Sequence, residues 1–185
     1  LVCCLLVVHM VSRRVARKNR QLHYQASHDP LTGLINRREF EDRLERAIVH
    51  ARTHSTSHAL LYMDLDRFKI VNDTLGHAIG DKLLQSVATR IKACVRADDF
   101  VARLGGDEFT ILLNDLADNL NVAKVAEKLR TVVAQPCQIN DHDLYVTVSI
   151  GISVYPDDGE DVETLVKNAD MAMYAAKEKK RGYRF

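Results

Sequence analysis

Two pairs of carboxylates have the type and spacing to do chemistry. Asp64 and Asp66 end the short apolar run that starts at Ala59. Asp107 and Glu108 follow two glycines, Gly105 and Gly106, between the strand-like runs Phe100–Leu104 and Glu108–Leu113. Residues two apart on a strand point to one face. If the first strand neighbours the hairpin, Asp64 meets one of the hairpin's acids at the sheet edge. Carboxylates gathered this closely repel unless a cation sits between them. An all-oxygen set, without Cys or His beside it, suits Mg²⁺ or Mn²⁺ shared with substrate phosphates. The glycines leave room for a flat base or a phosphate at the backbone. The plainer alternative is a solvated hairpin tip with ordinary surface acids.

A second group surrounds Gly76 and Gly80: Asn72, Asp73, His77 and Asp81. An amide and a carboxylate together can read a guanine edge, the carboxylate accepting from N1–H and N2–H₂. Asn72 and Asp81 as helix caps are the alternative. Near the end, Lys177 and Arg181 lie four apart, on one face of a helix, where they can hold terminal phosphates. The alternative there is a solvated basic helix end.

The elements that must position these groups follow from periodicity. Pro30 and Gly33 mark a loop. Asn36 caps a helix from Arg37 to Arg52 with Phe40, Leu44, Ala47 and Ile48 as its apolar stripe. Ala59–Asp66 reads as a buried strand. A helical stretch broken near Gly76 and Gly80 runs to about Val95. Two strands joined at Gly105–Gly106 form a tight hairpin. Val122–Ala134 is a helix. Leu144–Val154 alternates, with Val146, Val148, Ile150 and Ile152 on one side and Thr147, Ser149, Gly151 and Ser153 on the other. A last helix covers about Val162 to Lys180. The order α-β-α-α-β-β-α-β-α predicts an α/β sandwich, a mixed central sheet with an antiparallel hairpin flanked by helices.

Composition is globular, with 46% apolar and 28% charged residues in 185. A net charge of +1 gives no global imbalance that would recruit nucleic acid, and no nucleic-acid partner is expected. Cys3, Cys4, Cys94 and Cys137 form no CxxC pair and have no clustered His, which argues against a zinc site and for reduced thiols. Residues 1–11 are almost wholly apolar and are followed by Arg13, Arg14, Arg17, Lys18 and Arg20. A signal peptide carries its charge before the apolar run. The expectation is therefore the end of a transmembrane helix over 1–11, with a helical connector over 12–26 on the cytoplasmic side. Residues 27–185 form the domain.

Several motifs in order carry a resemblance. Asp29–Arg38 (DPLTGLINRR), Asp64–Asp81 (DLDRFKIVNDTLGHAIGD), Arg103–Phe109 (RLGGDEF), SIGIS and ADMAMYAAK resemble the signatures of GGDEF-domain diguanylate cyclases, over about Ala26–Gly182. The resemblance implies a nucleotidyl-cyclase, polymerase-palm-like fold. It also implies a reaction in which two GTP molecules become cyclic di-GMP with release of two pyrophosphates, across a homodimer of domains. Asp64, the carbonyl of Leu65 and Asp107 would bind Mg²⁺ or Mn²⁺, and Asn72 and Asp81 would recognise guanine. Lys69, Lys177 and Arg181 would contact phosphates, and His77 would lie near the ribose and base. Gly105 and Gly106 would line the substrate. Asp107 and Lys69 would act in catalysis. Lys180 and Gly182 depart from the residues that usually flank the terminal basic position. Arg96 and Asp99 match the RxxD offset of a product-inhibition site, with a helix-ending Arg and surface acids as the alternative. The N-terminal segment, rather than the resemblance, sets the expected localisation, a cytoplasmic domain of an inner-membrane protein.

Two other readings belong to different classes. One is a non-catalytic GTP- or cyclic-di-GMP-binding module within a larger signalling protein. The other is an adenylyl-cyclase-like enzyme, against which Asn72 and Asp81 speak.

Overall fold

The structure is a computed structural model and describes residues 13, 14, 17, 18, 21–116, 119–179 and 182–185. The expected transmembrane segment over 1–11 and the phosphate contact expected of Arg181 lie outside the described residues. Within 12–26, the described residues are helical. Among the described residues no helix is long and apolar enough to cross a membrane.

Helix α1 spans Arg37–His54, and Asn36 caps it by accepting the Glu39 N–H at 3.0 Å. Strand β1 (His58–Leu65) leads to α2 (Phe68–Leu75) and α3 (His77–Cys94). Strands β2 (Phe100–Gly105) and β3 (Glu108–Leu113) form the hairpin, and α4 (Asn119–Val133) follows. A separate two-stranded ribbon of β4 (Cys137–Ile139) and β5 (His142–Leu144) precedes β6 (Val148–Tyr155), α5 (Val162–Lys179) and β7 (Tyr183–Arg184).

The main sheet has the order β2-β3-β1-β6-β7, antiparallel except for the β6–β7 pair. Strand β1 sits at its centre and is buried on both faces, which is why it reads as a continuous apolar run. Leu61, Met63 and Leu65 pack with Phe109, Ile111 and Ile150 against Leu83, Val87 and Ile91 of α3 and Ala126 and Leu129 of α4. Leu60 and Tyr62 face the other way, onto Phe40, Leu44 and Ile48 of α1 and Leu165, Ala169 and Met173 of α5. The predicted sandwich is therefore present, with α1 and α5 on one side and α2, α3 and α4 on the other.

Three details differ from the sequence reading. The two-residue turn of the hairpin is Gly106–Asp107 rather than the glycine pair. Gly105 still pairs with Glu108, and Gly106 takes φ +49° at the first turn position. Only Gly76 breaks the helices, whereas Gly80 is buried inside α3. Leu144 belongs to the ribbon, so β6 starts at Val148. Helix α5 lies directly on the side of β6 that carries Ser149, Gly151 and Ser153. A Cβ on Gly151 would run into the carbonyl of Ala169 and the amide of Met173, while the Ser153 hydroxyl donates to the Leu165 carbonyl at 2.9 Å.

That close approach gives a stability test. In Gly151→Ala the obstructing atoms are backbone and cannot turn aside, so α5 must lift from the sheet. The expected loss is about 1–3 kcal/mol, seen as a melting temperature several degrees lower by calorimetry. An unchanged melting temperature would contradict the packing described.

Candidate functional site

The sheet register brings the predicted acids to one edge. Asp64 is next to last in β1, with Glu108 of β3 opposite it on one side and Ser149 of β6 on the other. Asp107 occupies the adjoining turn, where its carbonyl accepts the Leu65 N–H at 3.3 Å. Lys177, from the last turn of α5, places Nζ 2.6 Å from Asp64 Oδ1.

Electrostatics show the imbalance of this edge. Burial, together with the charges of Asp107 and Asp66, pushes the Asp64 carboxyl above its ordinary value despite the bond from Lys177. For Lys177 burial alone would lower the ammonium. The Asp64 bond and the charges of Asp64, Asp66 and Asp107 outweigh burial and raise it. Beyond burial, both shifts reflect three carboxylates sharing one ammonium. Excess negative charge of this kind, on oxygen donors alone, fits a hard divalent cation. The donors expected for it from the sequence are the Asp64 and Asp107 carboxylates and the Leu65 carbonyl.

Asp66 does not join that set. Its carboxylate accepts from the Thr147 hydroxyl at 2.6 Å and the Ser149 hydroxyl at 2.8 Å, so it fixes the start of β6 beside β1. Glu108 has Arg37 at 3.8 Å. Burial, then the charge of Glu108, pushes the nearby Tyr62 phenol up to about 12.

The second predicted group assembles where α2 meets α3. Both helices are bounded by Gly76, without a side-chain cap, so neither Asn72 nor Asp81 serves as one. Instead the Asn72 amide lies against Gly80, on the spot a Cβ would occupy, one residue from Asp81. His77 opens α3, and Lys69 is exposed on α2. This end of the fold therefore presents an amide, a carboxylate, an imidazole and an ammonium beside the acidic edge.

Arg96 and Asp99 lie in the turn between α3 and β2. Asp99 Oδ2 accepts the Arg96 N–H at 2.9 Å, and Oδ1 accepts the Asn114 N–H at 3.1 Å. The Arg96 guanidinium makes no hydrogen bond or ion pair among the described residues, and both residues line a cleft with Asn121, Lys124 and Lys128.

Sequence reasoning missed Arg103. Its Nη1 donates to both oxygens of Asp29 at 3.1 and 3.0 Å, and its Nε and Nη2 donate to the Gly106 carbonyl at 3.1 and 2.7 Å. Burial would raise the Asp29 carboxyl, but bonds from Thr32 and Arg103 hold it below its ordinary value. The Asp-x-x-Thr spacing inside DPLTG was the available signal, since Asp29 accepts both the Thr32 N–H and hydroxyl.

Comparisons with known proteins agree with this arrangement. Residues 26–183 match the family described as "Diguanylate cyclase, GGDEF domain". MucR of Pseudomonas aeruginosa, a bifunctional diguanylate cyclase/cyclic di-GMP phosphodiesterase, is 49% identical over 95% of this chain and 26% of its own length. The diguanylate cyclase TpbB of the same organism is 44% identical over 92% of this chain and 40% of its own. The chain thus spans well under half of these relatives. A structure of the isolated TpbB GGDEF domain has a TM-score of 0.81 at 44% identity, covering 84% of this chain and 91% of that one. The coiled coil and GGDEF domain of DgcB from Caulobacter crescentus, in complex with c-di-GMP, has a TM-score of 0.89 at 31% identity, covering 97% and 95%. Sequence motifs, strand register and matched length converge, and the chain belongs to the diguanylate cyclase GGDEF domain family.

Proposed function

We propose that this domain condenses two GTP molecules into cyclic di-GMP with release of two pyrophosphates. The observation that carries the reading is the acidic edge, where Asp64 is raised even with Lys177 bonded to it. Asp64, Asp107 and the Leu65 carbonyl would hold Mg²⁺ or Mn²⁺. When bound, the cation would offset negative charge on the α-phosphate and the leaving pyrophosphate. Lys177, released from Asp64, would turn to the phosphates, and Lys69 would add positive charge from α2. Asp107 would support removal of the attacking hydroxyl's proton. Asn72 and Asp81 would read guanine, with His77 beside the ribose.

One domain offers one such edge and the reaction joins two nucleotides, so two copies would meet face to face, each holding one GTP. Arg96, whose guanidinium has no partner among the described residues, and Asp99 would bind the product. The deciding experiment incubates the purified chain with GTP and Mg²⁺ and identifies the product by chromatography. Cyclic di-GMP formed with Mg²⁺ and not with chelator supports the proposal. GTP bound but unchanged under all conditions overturns it and assigns a binding module instead.

The Asn72–Gly80 contact yields a finer test. Gly80→Ala favours the helix by propensity, yet its methyl displaces the amide, with Phe68 Cζ also close at 3.2 Å. The KM for GTP should rise about tenfold, the scale of one lost hydrogen bond in a polar site, with kcat nearly unchanged. A wild-type KM in a folded Gly80→Ala protein would remove Asn72 from the guanine site.

A further inference from the structure

A second cluster of donors lies at the opposite end of the sheet. His58 opens β1, six residues before Asp64, which along a strand is about 20 Å away. His50 comes from the last turns of α1, and Asp115 follows β3. One ring nitrogen from each histidine and a carboxylate oxygen of Asp115 all lie within 4.8 Å of one another. None of these residues takes part in the family motifs.

The cluster is built rather than incidental. His58 is only 4% exposed, and its Nδ1 accepts the backbone N–H of Asp115 at 3.2 Å. Its Nε2 is buried without a hydrogen-bond partner among the described residues. With Nδ1 accepting, the neutral ring carries its proton on Nε2, toward the Ala47 carbonyl, so a cation would take Nδ1 in place of the Asp115 N–H. Asp115 is held in the left-handed region at φ +48°, the conformation that turns it onto the imidazole. The His50 ring is stacked on His54 with centroids 4.0 Å apart, which restrains it at the mouth of the cluster.

Neighbouring charges leave the cluster open to a cation. Arg43 donates to Glu39 at 2.6 Å and sits 4.5 Å over the Phe100 ring, and Arg46 lies 3.7 Å from the same Glu39. Asp98 lines the cleft as a further carboxylate.

We propose that His50, His58 and Asp115 form a binding site for a divalent transition-metal ion of the zinc class. Two neutral imidazoles and one carboxylate make a three-ligand set that leaves a fourth position for water or another donor. Imidazole suits Zn²⁺, Ni²⁺ or Cu²⁺ and not Mg²⁺, so this site and the carboxylate edge select different ions. A bound ion would tie α1, β1 and the segment after β3 together. It would sit one residue from Asn114, which bonds the Asp99 carboxylate and the Asp98 carbonyl.

The test is calorimetric titration of ZnCl₂ into the full chain with Mg²⁺ saturating and thiols reduced. Wild type should bind one equivalent with micromolar or tighter affinity. His50→Ala and Asp115→Asn should each bind at least tenfold more weakly. Both positions are exposed, and Asn tolerates the left-handed backbone, so both variants should fold. Their turnover of GTP without zinc should equal wild type. Absence of stoichiometric zinc binding overturns the proposal. Equal affinity in wild type and both variants overturns it too, by placing the zinc on thiols or on the carboxylate edge.

Discussion

Asp64→Asn is expected to stop cyclic di-GMP formation while making the domain more stable. The two effects share a cause. The Asp64 carboxyl is raised above its ordinary value by burial and by Asp107 and Asp66. A carboxyl raised in the folded state disfavours folding once it ionises. Stability is therefore highest below the ordinary carboxyl value, falls as pH rises through the raised folded value, and stays reduced at neutral pH. Asn removes that charge. Loss of the Lys177 bond does not reverse the sign, because Asp64 is raised even with that bond in place. The variant should melt higher than wild type at pH 7, and the difference should shrink toward zero at acid pH. Mg²⁺ should raise the melting temperature of wild type and leave the variant unmoved, since only wild type keeps the full donor set. Turnover should fall at least about 10²-fold, the scale for losing one preorganised electrostatic contact to the transition state. Calorimetric melts across pH, with and without Mg²⁺, check the first part and single-turnover product formation the second. A variant that is less stable at neutral pH, or that turns over normally, would refute the account of this edge.

Much of this edge was legible in the sequence because its parts are local. Asp64 closes an apolar run, and Asp107 follows two glycines between two others, so each sits at an element end whatever the topology. Their meeting required only that β1 and β3 be neighbours. Features built from distant segments were not legible. Arg103 and Asp29 are joined by the fold alone, and nothing about an arginine inside a strand announces a carboxylate seventy-four residues earlier. His50, His58 and Asp115 likewise converge from a helix, a strand and a loop. A search for cysteine-based spacing passes over them. On β6 the small residues Ser149, Gly151 and Ser153 admit α5, a close approach that alternation alone does not specify. The turn shifted by one residue because Gly105 keeps its place in the ladder.

Replacing Arg103 with lysine should lower kcat about 10²-fold with little change in the affinity for GTP. Arg103 bonds to none of the three expected donors of the acidic edge. It holds the Gly106 carbonyl with two donors and Asp29 with another, and Asp107 is the next residue after Gly106. Its backbone N–H also donates to the Ile35 carbonyl at 3.0 Å, and Asp29 is fixed by Thr32, so the turn is braced against the loop at 29–35. The fork of a guanidinium can satisfy both partners at once, whereas an ammonium can serve one. Lysine keeps the charge, so Asp29, whose side chain is only 15% exposed, is not left unpaired, and the fold should persist. The turn would then drift, and a displacement of about 1 Å at a reacting group costs on the order of 10²-fold in rate. Asp29→Asn should produce a similar loss from the other side of the brace. In the double variant the losses should not multiply, because either change alone already frees the turn. Steady-state kinetics on the three variants, with nucleotide binding measured separately, separates positioning from contact. Equal weakening of GTP binding would make Arg103 a substrate contact, and fully multiplicative losses would show that Arg103 and Asp29 act independently.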